Sequence, residues 1–328
     1  MDTVVTDAGL RGVARALRRT ARRARNRLRR ASVVLLYHRV TEGFTDPWSL
    51  CVGPTHFRDQ MAVLMGRDVV TLDALSADLV AGRRRRSIAV TFDDGYADFA
   101  AVALPTLREY DIPATLFVTT GGLDGESEFW WDELERIVLM FPRLPDTLFV
   151  EIAGAPFSWA FEADGDRRAL YLALHRRIGR LPATERSRVL RVLRHWAGVD
   201  ALRRDTHRPL LASELRDVAR CPLVRVGAHT VSHSYLGKLP VDEQRHEIRA
   251  SKERLEGIIA APVEHFSYPH GDHVPETVRL VREAGFRIAC GSACRSVTAK
   301  ADVFDLPRVE VPNLGSEDFA RWLDEWVR

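Results

Sequence analysis

Asp93 and Asp94 end the apolar run SIAVTF and are followed by Gly95, so both carboxylates emerge where a strand gives way to a turn. Adjacent acids repel unless a proton or a cation sits between them, which points to metal binding or to general acid–base work. The same pair also reads as an Asp-Gly turn with a helix cap. His229 and His233 lie four apart after the apolar run LVRVG. Neutral imidazoles with one carboxylate make the three-ligand set of a catalytic zinc site, leaving a position for water or substrate. A pair of histidines taken alone is more often incidental. Thr230 and Ser232, between them, are placed to hydrogen-bond within the loop.

Three further segments carry reactive side chains. His38 follows VVLLY and titrates near neutrality, which suits a general acid, although a strand-end histidine on the surface explains it equally. SYPHGD, Ser267 to Asp272, ends another apolar run; its Pro and Gly shape a turn whose backbone N–H groups could face a reacting carbonyl. Arg308 in DLPRVEV could orient a carboxylate or form an ordinary surface ion pair. Trp130 and Trp131 offer rings for sugar stacking, with core packing as the plainer role.

These residues need a scaffold that brings strand ends together. From Ser32 the chain alternates short β-branched runs (VVLLYHRV, SIAVTFDDG, ATLFVTT, then LVRVGAHT, VEHFSYPHG, FRIACGSA and FDLPRVEV) with helical periodicity in THFRDQMAVLM, FAAVALPTLREY, EQRHEIRASKERLEGIIA and PETVRLVREAG. That rhythm predicts an α/β fold with enough strand–helix units for a barrel, whose active site assembles at the C-terminal strand edge. Between about residues 125 and 215 the rhythm lapses into mainly helical segments, with a hairpin around LFVEIAGAPFSWAF. This insertion reads either as a packing subdomain or as a lid or wall over the site.

Composition adds bounds. The net charge of +3 conceals ten Arg against two Asp in residues 1–30, a surplus of eight that leaves the rest of the chain at −5. Leu10, Val13, Leu17 and Leu28 fall near one face of that segment, so residues 10–30 predict a basic amphipathic helix suited to an anionic membrane surface, or a solvated leader. No recognition module accompanies it, and nucleic acid is not an expected partner. Four scattered cysteines predict reduced thiols, and arginines stand where a secretory signal would need its apolar core. The expected location is cytoplasmic, with contact to the inner membrane surface open.

TFDDGYADF and GAHTVSH together resemble the first motif and the histidine motif of the NodB-homology polysaccharide deacetylases, carbohydrate esterase family 4, with similar strand order over roughly residues 32–125 and 213–315. The resemblance implies a deformed (β/α) barrel and removal of acetyl groups, chiefly N-acetyl, from a sugar of a polysaccharide or of its lipid- or nucleotide-linked precursor. It implies Asp93 as general base and Asp94, His229 and His233 as ligands of a divalent metal, Zn2+ first, with Co2+, Mn2+ or Ni2+ as alternatives.

Two departures are visible. Where the family has Arg-x-Pro-Tyr, this chain has Ser267-Tyr268-Pro269-His270, and Arg308 is the replacement for the missing arginine. No histidine follows His273 to supply the C-terminal acid; in this the chain resembles circularly permuted members, where a Tyr-His strand near the N-terminus takes that place, as Tyr37-His38 would. The backbone of His270 would face the oxyanion, with Tyr268 and Trp131 on the substrate. A metal amidohydrolase for small C–N substrates and a carbohydrate-binding barrel without turnover remain as competing readings.

Overall fold

The computed structural model describes residues 31–327 except 44, 84, 162–165 and 202. The basic segment expected at residues 10–30 lies outside the described residues.

Seven strands form one sheet: β1 (Val33–Tyr37), β2 (Ile88–Phe92), β3 (Ala114–Val118), β4 (Val224–Ala228), β5 (His265–Ser267), β6 (Ile288–Cys290) and β7 (Val309–Glu310). Their spatial order is β6-β5-β4-β3-β2-β1-β7, and every pairing is parallel. Parallel strands need helical crossovers, which cover the sheet's faces and explain why β1, β2 and β3 are buried along their whole length. The two edges approach through one short segment. Leu306 bridges Cys290 at the end of β6, and three residues later Val309 pairs with Leu35 of β1. The sheet therefore curls into the deformed (β/α) barrel expected from the sequence.

Strand parity sorts the core. Val33, Leu35, Tyr37, Val90, Phe92 and Leu116 join the larger apolar cluster with the surrounding helices. Val34, Ala89, Phe117, Cys290 and Leu306 form a smaller one, which we read as the barrel interior. A fully buried side chain of this size stabilises the fold by about 1.5–3 kcal/mol. Thr91 and then Asp93 continue the parity of Ala89, so the apolar plug gives way to polar groups at the C-terminal rim.

Residues 129–197 build a second apolar cluster around Trp130, Leu134, Tyr171, Leu174, Val189 and Leu193. Its elements are the helices Trp130–Glu135, Asp166–Ile178 and Ala183–Ala197 and a hairpin of Thr147–Ile152 with Ala155–Ala160. Ala153 and Gly154 both take positive φ, 54° and 73°, the requirement of a tight two-residue hairpin turn. Cys51, Cys221 and Cys290 are free thiols. Among the described residues no helix is long and apolar enough to cross a membrane.

Candidate active site and metal centre

The rim is assembled by register. Asp93 N donates to Tyr37 O, which sets His38 beside the two aspartates; His229 N donates to Val118 O, and Thr119 N to Asp94 O. Four strand ends thus deliver His38, Asp93–Asp94, Thr119 and His229 to one level. Asp94 and Gly95 turn the chain with φ of 72° and 84°, and a Cβ on Gly95 would stand 3.1 Å from Val118 Cγ1. Gly95 meets both demands.

Asp94, His229 and His233 bring three ligand atoms within 4.8 Å of one another, all buried. Asp94 Oδ1 lies 3.6 Å from His229 Nε2 and 3.3 Å from His233 Nε2. For tetrahedral zinc with bonds of about 2.0–2.1 Å, neighbouring ligand atoms stand about 3.3 Å apart, so the spacing fits. The donor chemistry fits as well. His229 Nδ1 is 2.8 Å from the Ser267 carbonyl, an acceptor, so Nδ1 carries the proton and Nε2 turns its lone pair toward Asp94. Asp94 Oδ1 is buried with no hydrogen-bond partner among the described residues. Burial, then the Asp93 and Asp132 carboxylates, push the Asp94 carboxyl well above its ordinary range, the condition that a cation relieves.

Asp93 is treated in the opposite way. Arg308 reaches it with both ends of the guanidinium, Nη1 to Oδ1 at 2.6 Å and Nη2 to Oδ2 at 2.7 Å. Arg308 also donates from Nε to the Gly291 carbonyl and from Nη2 to Ser267 Oγ, which in turn donates to Asp93 Oδ2. Burial alone would raise the Asp93 carboxyl, but Arg308 and His229 outweigh it and hold it well below the usual carboxylate range. Two neighbouring carboxylates are thereby pushed apart, one fixed as an anion and one in need of a cation.

His38 is pushed down to about 4 by burial, with Asp93 pulling the other way, and its Nδ1 stands 3.9 Å from Glu310 Oε1. Both residues line a cavity of about 300 Å³ that also reaches Asp93, Asp94, His229 and His233. His270 lies in it at φ 58°, its ring stacked on Tyr235 with centroids 3.8 Å apart.

Two expected substrate residues, Tyr268 and Trp131, line the cavity with little exposed surface. Tyr268 borders the cavity, but it has no exposed surface and its hydroxyl is committed to the Phe304 carbonyl. Trp131 is 5% exposed, stacks on Phe129, packs 4.5 Å from the His233 ring and donates from Nε1 to Tyr96 Oη. It packs against His233 in the cavity wall. Conversely, the sequence reading missed Ser267 Oγ, Glu310, and two residues of the cavity's outer wall, Trp48 and His175. His175 comes from the helix Asp166–Ile178, whose basic periodicity gave no hint of it.

A second cluster, Asp132, Glu135 and His207, also has metal-ligand spacing. It already has cations: Arg204 lies 3.5 Å from Glu135, and Arg39 stacks over Tyr96, whose hydroxyl bonds Asp132. We assign no metal there.

The family model for polysaccharide deacetylase matches residues 81–140 and 192–289, the stretch that carries Asp93, Asp94, His229 and His233. The match spans just under half of the chain and supports a hydrolase that deacetylates sugars. The family match breaks over 141–191, within the second apolar cluster, and leaves both His38 and Arg308 outside. Among solved structures, the deacetylase PplD of Streptococcus pyogenes in complex with acetate is similar at 17% identity, with 89% of this chain and 97% of that one covered and a TM-score of 0.57. A polysaccharide deacetylase from Bacillus cereus is similar at 18% identity, coverage 89% and 69%, TM-score 0.57. IcaB from Ammonifex degensii is similar at 18% identity, coverage 89% and 97%, TM-score 0.55. These likenesses bear on the fold. No curated protein matches the sequence.

Proposed function

We propose that this deacetylase removes the acetyl group from an N-acetylated sugar, with Asp94, His229 and His233 holding a divalent metal, Asp93 as general base and His38 as general acid. The opposed fates of Asp93 and Asp94 carry this reading: Arg308 keeps one carboxylate ionised beside a second that lacks a partner. The imidazole-rich donor set favours Zn2+, with Co2+, Mn2+ or Ni2+ as substitutes. The cation, when bound, supplies a Lewis acid for the acetyl carbonyl and a more acidic water.

The protein's own groups do the rest. Asp93, locked by Arg308 and Ser267, keeps an unused lone pair on Oδ1 to accept the proton of the attacking water. Ser267 fixes the His229 tautomer through its carbonyl and Asp93 through its hydroxyl. His38 is neutral at rest; as negative charge develops on the reacting carbonyl it takes up a proton from solvent in the cavity, Glu310 stabilises the imidazolium, and that proton passes to the leaving amine while Asp93 returns the water's proton to solvent. The backbone N–H of His270 is our candidate for the oxyanion contact. The position of His38 just past the end of the first described strand, beside Asp93, supports kinship with the permuted members.

The lining also speaks to the substrate. Among the described residues around the cavity, the one guanidinium is Arg308, already committed to Asp93, while Asp93, Asp94 and Glu310 contribute carboxylates. That set favours an uncharged sugar ring in the cavity, with any lipid or nucleotide diphosphate held outside it. His175 and Trp48 would form the outer wall, the insertion serving in substrate selection. The family match favours a glycan over a small amide, and the completed site disfavours a barrel without turnover.

The test is acetate release from oligomeric, lipid-linked and nucleotide-linked N-acetyl sugars, by wild type and Asp93→Asn, with added zinc, cobalt, manganese or nickel. We expect wild type to be active and D93N to bind metal while losing about 100- to 10,000-fold in kcat. Undiminished turnover by D93N would remove Asp93 from its role.

A further inference from the structure

His233 sits in a loop that is costly to form. Thr230 and His233 both adopt left-handed φ, 65° and 55°, without being glycine. Such residues persist where their surroundings over-determine them. From the barrel side, Glu247, on the helix Val241–Ile259, accepts hydrogen bonds from Val231 N at 2.8 Å, Ser232 N at 2.9 Å and Ser232 Oγ at 2.6 Å. His233 N donates to Thr230 Oγ1.

The other side is held from the insertion. Arg186, on the helix Ala183–Ala197, is 3% exposed and donates from Nη2 to the Ser232 carbonyl at 2.7 Å and from Nη1 to Ser234 Oγ at 3.4 Å. Its guanidinium lies 5.1 Å from the centre of the Trp130 ring. Among the described residues no carboxylate pairs with it directly, and the groups it serves are those flanking His233. A buried cation spent on a backbone carbonyl and a hydroxyl is expensive to retain for packing alone.

We infer that Arg186 is a positioning residue for the metal centre: from the insertion it clamps the Ser232–Ser234 loop against Glu247 and so holds His233 Nε2 toward Asp94. The insertion is then part of the metal-binding apparatus as well as a wall of the cavity. Partners one bond removed from metal ligands set affinity by about 10- to 100-fold when removed. Arg186 touches neither substrate nor metal, so its loss acts through His233 and is offset by excess metal.

The inference rests on the metal reading, and the experiment separates the two. Chelator-stripped wild type, Arg186→Ala, Arg186→Lys and, as a control on the same helix, Arg188→Ala are titrated with Zn2+ against a chromophoric chelator, with melting temperature and circular dichroism measured in parallel. Arg188 bonds the partly exposed Glu185 and the Glu151 carbonyl and leaves the loop alone. We expect R186A to weaken Zn2+ affinity about 10- to 100-fold with kcat recovered at saturating metal, R186K to recover part of the affinity, and R188A to match wild type. If R186A does not fold, R186K alone decides, because it keeps the charge and loses the two-point grip. Unchanged affinity in a folded R186A or, failing that, in R186K overturns the inference, as does an equal loss in R188A. A wild type that binds no divalent ion defeats the metal reading itself.

Discussion

Arg308 places one guanidinium nitrogen on each oxygen of Asp93, at 2.6 and 2.7 Å, and both side chains are buried. The pair fixes the orientation of the carboxylate and its charge together. Breaking a buried ion pair from one side costs about 3–5 kcal/mol, because the remaining charge is stranded. Arg308→Ala is therefore expected to lower the melting temperature sharply and to abolish turnover, while Arg308→Lys, with one point of attachment, retains stability better than activity. Calorimetry and acetate release on the same samples check this.

The same pair sets an acid limit on stability. Asp93 is held below its unfolded pKa of about 3.9, so the pairing contributes fully above that value and is lost as pH falls toward the folded-state pKa. Denaturant titrations between pH 6 and pH 3 should show wild type losing stability more steeply than R308A at the acid end. Parallel curves would mean that the ion pair does not govern acid unfolding.

His38 is tested through the leaving group. An amide needs its nitrogen protonated as it departs; an activated aryl acetate does not. His38→Ala should lose about 100-fold or more on an N-acetyl sugar and little on the aryl ester. Equal losses on both substrates would place His38 in binding or structure instead.

Metal removal has a predictable sign. Binding relieves Asp94, whose carboxyl sits well above its ordinary range, so affinity falls as pH is lowered and protons compete for the site. Stripping should end acetate release and lower the melting temperature; restoring metal at 100 times its Kd returns about 2.7 kcal/mol.

His175 is the prediction for the insertion. Its ring is 7% exposed, packed 4.6 Å from Trp48 and 4.7 Å from Trp130, and burial pushes it down to about 4, so it meets substrate as a neutral imidazole. One hydrogen bond to a sugar hydroxyl is worth about 0.5–1.5 kcal/mol, and His175→Ala is expected to raise KM about 3- to 10-fold with kcat little changed.

What could be read from sequence follows from chain locality. Asp93, Asp94, His229 and His233 each lie at or just past the end of an apolar run, and parallel strands end on one edge, so their convergence was legible before any coordinates. The partner of Asp93 lay 215 residues away, just before a strand of two residues; FDLPRVEV and the absent motif arginine pointed to it, but not to its two-point grip. Trp131 and Tyr268 line the cavity, but an aromatic beside a motif gave no sign that Phe129 and the Phe304 carbonyl would hold them. Glu247 and Arg186 gave no signal, because both sit among ordinary charged helical positions and acquire meaning only from the loop they hold.

The short run from Leu306 to Glu310 touches β6 at one end and β1 at the other, with Arg308 in between. A contact spanning 215 residues carries a large loop-closure entropy and forms late on the folding path. Asp93 receives its anchoring guanidinium only when the two edges of the sheet meet. A refolding chain should accordingly stay inert through its early compact stages and regain turnover with the slowest kinetic phase, so that hydrolytic competence itself reports completion of the cylinder.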